Sequence, residues 1–460
     1  MASRVKKTRL IGIVAAIVII TGALAFRARI SPLAAVVSSA EPAASAESAP
    51  QAPPASGSVR LCGSNTIGAE LAPALAEDFL AAKGSTDVRR ESTASSVTVS
   101  GSLSGERFTF DIRSAGTGTA FKEMAAGRCD IAMASRDATP DELSSLGQGA
   151  VEHVLGLDGI AVIVNDQSQV SSLDVTQVAS LFSGSVSSWS AVGGRQGSVD
   201  VVSYDEKSGT YDTFKKLVLG DAVLVPSARR LSASADVVRA VSSSPSSIGY
   251  TSLSSARGVK VLPVAEAGSP PVQPTVWTVA RESYPLTRRL FLYTSPSHSR
   301  PAADSLVLFA MSDAGQSVVS RSGFVDLSVK AEPATLCPAC PAQYVQDTGG
   351  YRRLSVDFRF RNGSSDLDSR ASEDAERVVA FARKGSSVRL IGFADNSGSP
   401  SANQKLSYDR AEKVRVALVG LGLPSAVSFG MGSLMPAASN ATDSGRQRNR
   451  RVEVWVSGQN

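Results

Sequence analysis

The chain has 460 residues, 43% of them hydrophobic, which is enough to form more than one buried core. Its formal net charge is +5, but six Lys and Arg residues without any acidic residue lie before residue 30, and removing those six charges leaves −1. The remaining chain has no net positive field to attract a polyanion, which argues against a nucleic-acid-binding protein.

The N-terminal segment is typical of an exported protein. An uncharged apolar run over residues 10–26 follows four basic residues. Residues 1–30 are therefore predicted to be a signal peptide or an N-terminal membrane anchor. Both alternatives stay open, because "ALA" at 23–25 is typical of a cleavage site while the run is close to the shortest bilayer span. Either alternative places the protein in the periplasm or cell envelope. Residues 31–57, rich in Ala, Ser and Pro, are predicted to be a flexible linker.

Four cysteines in an exported chain predict disulfide bonds. Cys337 and Cys340 lie in a proline-flanked segment, so a local disulfide is favoured over a redox motif. A pairing of Cys62 with Cys129 stays open, because the sequence does not give the distance between them.

From residue 58, short apolar segments alternate with amphipathic ones, which predicts an α/β fold whose sheet contains parallel strands. The predicted strands include "VRLCGS", "CDIAMAS", "GIAVIVN" and "VDVVSY". Helices are predicted over residues 67–82, 120–126 and 211–219. This first domain is predicted to extend from residue 58 to residue 331.

A break at residues 332–350, which contains the Cys337 and Cys340 pair, is predicted to be a second linker. Beyond it, "LSVDFRF", "SVRLIGFAD", "VSFGMGS" and "RRVEVWV" are predicted strands, and the helices are predicted over 371–383 and 403–421. Residues 351–460 are therefore predicted to form a small α/β sandwich.

Three turns of the first domain carry hydroxyl side chains at predicted strand-to-helix junctions. They are Gly63 to Gly68, Ser114 to Thr119, and Ser208 to Thr210. Each places free backbone N–H groups, a helix start and a short hydroxyl side chain together, which suits an oxyanion, although Ser and Thr are also ordinary helix caps. In an open α/β cleft three such turns at strand ends can converge on one ligand.

Residues 58–331 resemble the phosphate-binding periplasmic proteins of ABC transporters, which have a two-lobed type II periplasmic-binding fold. The matching segments are "GSNTIG", "CDIAMASR", "LDGIAVIVN", "LFSGSVSSWSAVGG", "SGTYDTF", "SSIGY" and "YPLTRRLFLY". The resemblance implies that phosphate or a similar oxyanion is held between the lobes, and it raises an ABC permease as a partner. The oxyanion site that it implies comprises Ser64, Thr66, Ile67, Thr117, Gly118, Ser135, Arg136, Ser208, Gly209 and Thr210.

One position departs from this family's pattern. Relatives usually carry an arginine four residues before Ser208, where this chain has Tyr204. Arg136 could supply the cation instead. Tyr204 is interpreted as a packing residue at the cleft edge, since aromatic side chains bury readily. Asp137 and Asp205 are candidates for accepting a proton of the ligand.

The second domain, over residues 354–456, resembles the OmpA-like peptidoglycan-binding domain. The segments that carry this resemblance are "FADNSGSPSANQKLSYDRAEKV" and "NATDSGRQRNRRVEVWV". It implies that Asp395 pairs with the ammonium group of diaminopimelate in the peptide stem and that Arg410 binds its carboxylate, with Asn403 and Leu406 on the same helix face. Outside that pattern, an Asp and Arg pair is more often a structural salt bridge.

No catalytic residue, metal site or cofactor is predicted. The chain has two histidines, His153 and His298, neither in a metal-ligand spacing, and a nucleophilic Ser208 would lack a base. The predicted function is a periplasmic binding protein for phosphate or a related oxyanion, held on peptidoglycan by its OmpA-like domain. The alternative is an envelope scaffold or sensor whose first domain no longer serves transport.

Overall fold

A computed structural model describes residues 57–93, 96–206, 208–298, 300–332, 337, 339–360, 367–382 and 386–457. The predicted signal peptide or anchor and nearly all of the predicted linker over 31–57 lie outside the described residues. Within the described ranges, every helix is too short or too polar to cross a membrane.

The first domain is built on a sheet of eleven strands in the order β2-β3-β4-β1-β5-β13-β6-β10-β8-β9, with β11 also paired to β6. A separate pair is formed by β7 and β12. The strands are β1 Gly57–Gly63, β2 Arg89–Ser92, β3 Ser96–Leu103, β4 Glu106–Ser114, β5 Ile131–Ala134, β6 Val151–Val164, β7 Leu173–Asp174, β8 Asp200–Tyr204, β9 Arg229–Leu231, β10 Ser247–Ser252, β11 Lys260–Leu262, β12 Val264–Ala265 and β13 Thr287–Thr294.

Helices cover this sheet and enclose two buried apolar clusters. Two five-residue π-helical segments, Ile67–Leu71 and Lys215–Leu219, directly precede α1 and follow α5. The α-helices are α1 Ala72–Ala82, α2 Thr117–Ala125, α3 Pro140–Ser145, α4 Val175–Ser183, α5 Gly209–Phe214, α6 Ser234–Ser242, α7 Val276–Ala280, α8 Pro301–Met311 and α9 Asp313–Arg321.

The middle of the sheet differs from the sequence-based expectation. Parallel pairing is present between β1 and its neighbours β4 and β5, and between β8 and its neighbours β9 and β10. The predicted strand "GIAVIVN", however, is only the end of the 14-residue strand β6, whose neighbours β13, β10 and β11 are antiparallel. A strand buried on both faces reads as a continuous apolar run, so the sequence does not reveal its direction.

Both cysteine pairs form disulfides. Cys62 of β1 is bonded to Cys129, two residues before β5, with a Cα–Cα distance of 6.0 Å. Cys337 is bonded to Cys340 with a Cα–Cα distance of 5.3 Å. The first bond therefore joins the two parallel strands β1 and β5.

The second domain is a four-stranded sheet, ordered β14-β17-β15-β16, covered by helices around its own apolar cluster. This small sandwich and the two-lobed first domain confirm the predicted α/β fold class. The elements are α10 Ala342–Thr348, β14 Tyr351–Arg359, α11 Ser369–Ala382, β15 Val388–Gly392, α12 Pro400–Gly420, β16 Ala426–Gly430, α13 Asp443–Asn449 and β17 Arg451–Ser457.

The segment predicted as the second linker contains regular structure. Helix α10 lies within it, and the buried Tyr344 of α10 donates a hydrogen bond to Glu453 on β17 at 2.7 Å. Just before it, the backbone N–H of Glu332 donates to the carbonyl of Arg353 on β14 at 2.7 Å. The described part of this segment is thus packed on the second domain.

Ion pairs connect the two domains. Arg281 contacts Glu332 at 2.5 Å, and Arg289 bridges Glu282 at 2.8 Å and Asp368 at 2.6 Å. A further contact joins Glu266 of the first domain to Arg448 on α13. Each of these contacts involves a residue between 266 and 289, so the second domain docks against that part of the first.

Candidate functional site

A cavity of about 200 Å³ lies where the predicted turns meet. It is lined by residues from both lobes, namely Ser64, Asn65, Thr66, Gly116, Thr117, Gly118, Ser135, Glu206, Gly209, Asp212 and Lys216. It is named the anion cavity, after the ligand class that the sequence predicts. The structure therefore brings the first, second and third hydroxyl turns to one place.

The first turn is fixed by close backbone packing after β1. Gly63 has a φ of +126°, and a Cβ there would lie 2.6 Å from the Cβ of Ala120, so a larger residue does not fit. The next residue, Ser64, is fully buried and accepts a hydrogen bond from the N–H of Ile67 at 3.4 Å. Ile67 is itself buried, so it can offer a ligand only its backbone.

The second turn meets the end of β5. Thr117, the first residue of α2, is 3% exposed, and its Oγ1 lies 3.2 Å from the Oγ of Ser135. The N–H of Ser135 also donates to Thr117 Oγ1 at 3.1 Å. Asn65 Oδ1 accepts from the N–H of Gly116 at 3.1 Å, which ties the first turn to the second. These side chains form a preorganised polar lining.

The third turn comes from the other lobe and contributes Gly209. A Cβ at Gly209 would lie 2.6 Å from the backbone nitrogen of Thr66, so the two lobes are in contact at this point. Ser208 caps α5 instead, because its Oγ accepts from the N–H of Thr210 at 3.2 Å. Of the three residues predicted at this turn, Ser208, Gly209 and Thr210, only Gly209 lies in the lining of the anion cavity.

The charged groups at the anion cavity have partners. Lys216 Nζ lies 2.8 Å from Asp212, and Glu206 contacts Arg230 at 3.2 Å. The cavity thus contains two carboxylates beside its one lysine. An anion placed in this cavity would therefore have to be held mostly by N–H and hydroxyl groups.

Sequence reasoning missed Arg288 as a site residue. This buried residue of β13 donates from Nη2 to Thr66 Oγ1 at 2.7 Å and contacts Asp158 at 3.0 Å. Burial lowers the pKa of Arg288, and attraction to Asp158 partly offsets that effect. A signal was present, since "TRRLFLY" places two arginines in an otherwise apolar strand.

Arg136 occupies a different position from the one expected. Its guanidinium binds both carboxylate oxygens of Glu142 at 2.7 Å and lies beside a second, larger cavity rather than in the lining of the anion cavity. The hydrogen bond from Arg136 is the main reason why the pKa of Glu142 falls to about 2. A role for Arg136 in anion binding stays a prediction.

Tyr204 lies in the core. It is 1% exposed, packs against Tyr250, and bonds through its hydroxyl to Ser234 at 3.0 Å and Thr251 at 2.8 Å. Burial raises the pKa of the Tyr204 hydroxyl. This geometry agrees with the interpretation of Tyr204 as a packing residue.

In the second domain, the implied peptidoglycan residues lie around the end of β15. Asp395 is ion-paired with Arg450 at 2.7 Å, and Arg410 Nη1 approaches the carbonyl of Phe393 at 3.4 Å. Asn403 is buried, whereas Leu406 is 39% exposed. Arg450 is a further charged residue at this position that sequence reasoning did not single out.

Burial and neighbouring charges shift the pKa of both ionisable groups of this site. Burial lowers the pKa of Arg410 to about 10, and repulsion from Arg450 adds to that effect. Burial by itself would raise the pKa of Asp395, but hydrogen bonds from Arg450 and Ser397 outweigh it, so the pKa is lowered. Both groups are therefore charged at neutral pH.

The residues that the structure describes contain no group of three or more His, Cys, Asp or Glu side chains that could hold a metal ion. His153, one of the two histidines, hydrogen-bonds Thr294 at 3.1 Å, and burial lowers its pKa.

Comparison with known proteins assigns both domains. The family described as "PBP superfamily domain" matches residues 50–314, and the OmpA family matches residues 359–450. The phosphate-binding protein PstS of Borreliella burgdorferi is 26% identical over 215 residues, covering 43% of this chain and 72% of that protein. PstS of Staphylococcus aureus USA300 is 26% identical over 223 residues, covering 46% of this chain and 67% of that protein.

Among solved structures, a possible phosphate binding protein from Planctomyces limnophilus has a TM-score of 0.50 and 24% identity. The match covers 59% of this chain and 94% of that one, and it shows the fold. The relatives are binding proteins and not enzymes. Because the first family spans more than half of the sequence, the chain belongs to the PBP superfamily, and it carries an OmpA-family domain after that region.

Proposed function

We propose that the protein is a periplasmic binding protein for phosphate or a related oxyanion and that its second domain holds it on peptidoglycan. The observation that carries the first part is the anion cavity, where turns from both lobes meet around Thr66, Thr117, Ser135 and Gly209. Helix starts and short hydroxyl side chains are the groups that oxyanions use in proteins.

The affinity of such a site depends on the number of hydrogen bonds that it can make to the anion. A micromolar site needs about 8 kcal/mol, and a hydrogen bond to a charged group contributes about 1.5–3 kcal/mol before binding costs. Five or six donors from the turns would be needed to supply that amount. Arg288 donates a hydrogen bond to Thr66, but its charge is already paired with Asp158.

The carboxylates favour phosphate over sulfate. At neutral pH phosphate retains a proton, and Asp212 or Glu206 can accept a hydrogen bond from it. Sulfate has no such proton, so the same carboxylates would repel it. The names of the relatives, both phosphate-binding proteins PstS, support the same ligand.

The peptidoglycan part rests on the charged residues at the end of β15 and on the OmpA-family match. Asp395 can pair with an ammonium group, and Arg410 can bind a carboxylate, as diaminopimelate requires. Arg450 already forms an ion pair with Asp395, so an incoming ammonium group must compete with Arg450 for that carboxylate.

Isothermal titration calorimetry of the exported chain with phosphate, sulfate and molybdate tests which oxyanion binds. We expect phosphate to bind most tightly. The absence of heat with every oxyanion would overturn the proposal.

A second candidate function is an envelope scaffold or sensor. It is favoured by Tyr204 at the usual arginine position and by the ion-paired charges around the anion cavity. Measuring phosphate uptake by cells with and without the gene separates the two. Binding in vitro with unchanged uptake at limiting phosphate would favour the sensor, and no binding would favour the scaffold.

A further inference from the structure

Two charged residues are buried side by side in the sheet of the first domain. Arg288 of β13 and Asp158 of β6 are direct partners in the antiparallel pairing of these strands, and they are 8% and 3% exposed. Arg288 donates to Asp158 from Nε at 3.2 Å and from Nη2 at 3.0 Å. A buried ion pair is weak evidence for stability, because the cost of removing both charges from water offsets much of their attraction. Stability alone therefore does not account for this pair.

A third hydrogen bond connects the pair to the anion cavity. Arg288 Nη2 also donates to Thr66 Oγ1 at 2.7 Å. An Nη2 atom carries two hydrogens, so the bonds to Asp158 and Thr66 use both of them. Thr66 belongs to the lining of the anion cavity, whereas Arg288 and Asp158 do not. The pair thus reaches this cavity through Thr66.

The direction of this hydrogen bond determines what the Thr66 hydroxyl can do. A hydroxyl has one hydrogen to donate and two lone pairs that accept, whereas an arginine side chain only donates. Thr66 therefore accepts from Arg288, and its own hydrogen has to point elsewhere. Within the described ranges no protein atom accepts that hydrogen. A Cβ at Gly209 would lie 2.3 Å from Thr66 Oγ1, so the facing lobe also restricts where this oxygen can lie.

The ion pair adds little net charge to the anion cavity. Arg288 and Asp158 together are neutral, so their combined field falls off faster than that of a single charge. A hydrogen bond accepted from a cation, however, polarises the Thr66 oxygen and makes its hydrogen a better donor. This effect depends on the alignment of the guanidinium group, which its two bonds to Asp158 fix.

We propose that Arg288 is a positioning residue for oxyanion binding. Held by Asp158, it orients the Thr66 hydroxyl so that the hydrogen points into the anion cavity and is donated to the bound ion. A donor that is oriented in advance loses less freedom when the ion binds. This inference rests on the proposed function, because it concerns the same ion in the same cavity. It gives β13 a part in recognising an ion that Arg288 does not touch.

A double-mutant cycle tests the inference, measured by calorimetry of the full chain with inorganic phosphate. Thr66→Val removes the hydroxyl, and we expect about a tenfold loss of affinity. Arg288→Lys keeps the charge but lacks the planar fork that bonds Asp158 and Thr66 together, and we expect about a fivefold loss. Because Arg288 acts through Thr66, the double variant should bind within about twofold of Thr66→Val.

The outcomes separate this role from others. Losses that multiply in the double variant, to about fiftyfold, would mean that Arg288 contacts the ion itself or acts only on the fold. That result would overturn the inference while the proposed function stands. Equal affinities of Thr66→Val and Thr66→Ser would also overturn it, since serine keeps the hydroxyl. If the natural chain does not bind phosphate, the inference and the proposed function both fail.

Arg60→Lys is the matched control. Arg60 forms a similar two-bond pair with the buried Asp130, outside the lining of the anion cavity, so its variant should bind phosphate normally. A loss equal to that of Arg288→Lys would contradict a specific role for Arg288. Should Arg288→Lys not fold, Asp158→Asn takes its place in the cycle, because it weakens the bonds that fix the guanidinium. A loss from Asp158→Asn that persists in the Thr66→Val protein would overturn the inference.

Discussion

The two candidate binding sites are formed by different kinds of chemical group. The anion cavity consists of backbone turns and hydroxyl groups, and its charged neighbours are already paired with one another. The candidate peptidoglycan site consists of charged side chains, with Asp395, Arg410 and Arg450 close together. The first site should therefore depend on the exact placement of strands and lobes, and the second on individual charges.

Removing the disulfide between β1 and β5 should have the largest effect on the anion cavity's scaffold. The double variant Cys62→Ala/Cys129→Ala opens a loop with a sequence separation of 67 residues. The expected loss is about 4 kcal/mol in the free energy of unfolding, since closing a longer loop restricts the unfolded chain more. Denaturant unfolding followed by circular dichroism measures it.

The other disulfide is the matched control. Cys337 and Cys340 are three positions apart, so Cys337→Ala/Cys340→Ala should cost no more than about 2 kcal/mol. Equal losses in the two double variants would contradict the idea that the first bond holds the scaffold of the anion cavity.

Gly209→Ala should reduce oxyanion affinity about a hundredfold. The new Cβ would lie 2.6 Å from the nitrogen of Thr66, so the lobes could not approach as closely, and overpacking of this kind costs about 1–3 kcal/mol. Calorimetry with phosphate measures the change. Gly420→Ala, in a helix with nothing within 4 Å of the added carbon, should bind normally. Normal binding by Gly209→Ala would show that this contact between lobes is not needed.

Asp395→Asn should reduce retention on isolated sacculi about tenfold while leaving phosphate binding unchanged. The substitution keeps the shape of the side chain but removes the charge that would pair with an ammonium group, worth about 1.4 kcal/mol. Pull-down with sacculi measures retention. Asp409→Asn, an exposed position on α12, is the control. Full retention of both proteins would remove Asp395 from the site.

Thr117→Val should have the smallest effect, about a fivefold loss of phosphate affinity. It replaces one hydroxyl with a methyl group of nearly the same volume. The lost hydrogen bond corresponds to about 1 kcal/mol of binding free energy. Calorimetry is again the measurement, and Thr98→Val on β3 is the control. A loss as large as that of Gly209→Ala would mean that side-chain donors, and not lobe closure, dominate the site.

Much of the fold follows from local sequence patterns. The helix over 371–383 and the strand "SVRLIGFAD" were predicted close to α11 and β15, because amphipathic periodicity and apolar runs are local signals. The pairing direction of β6 and the packing of Tyr344 depend on distant partners, so no local signal announces them.

In the candidate sites, too, local sequence patterns were predictable and contacts between distant residues were not. The turns around Thr66 and Thr117 were recognisable from residue type and position, and the structure places both in one cavity. Arg288 and Arg450 were missed, since their importance comes from contacts with Thr66 and Asp395, 222 and 55 positions away. A residue defined by what it touches across the fold is visible only in three dimensions.

The short connection between the domains limits how far the first domain can move away from the second. Val325 is bridged to Leu157 in the first domain, and Ala331 is bridged to Leu354 in the second, so the chain passes from one sheet to the next within a few residues. If the second domain binds peptidoglycan as proposed, the closely connected first domain would stay beside the same patch of peptidoglycan. It would then gather only the solute that diffuses past that patch, and its number of copies, more than its mobility, would set the rate of capture.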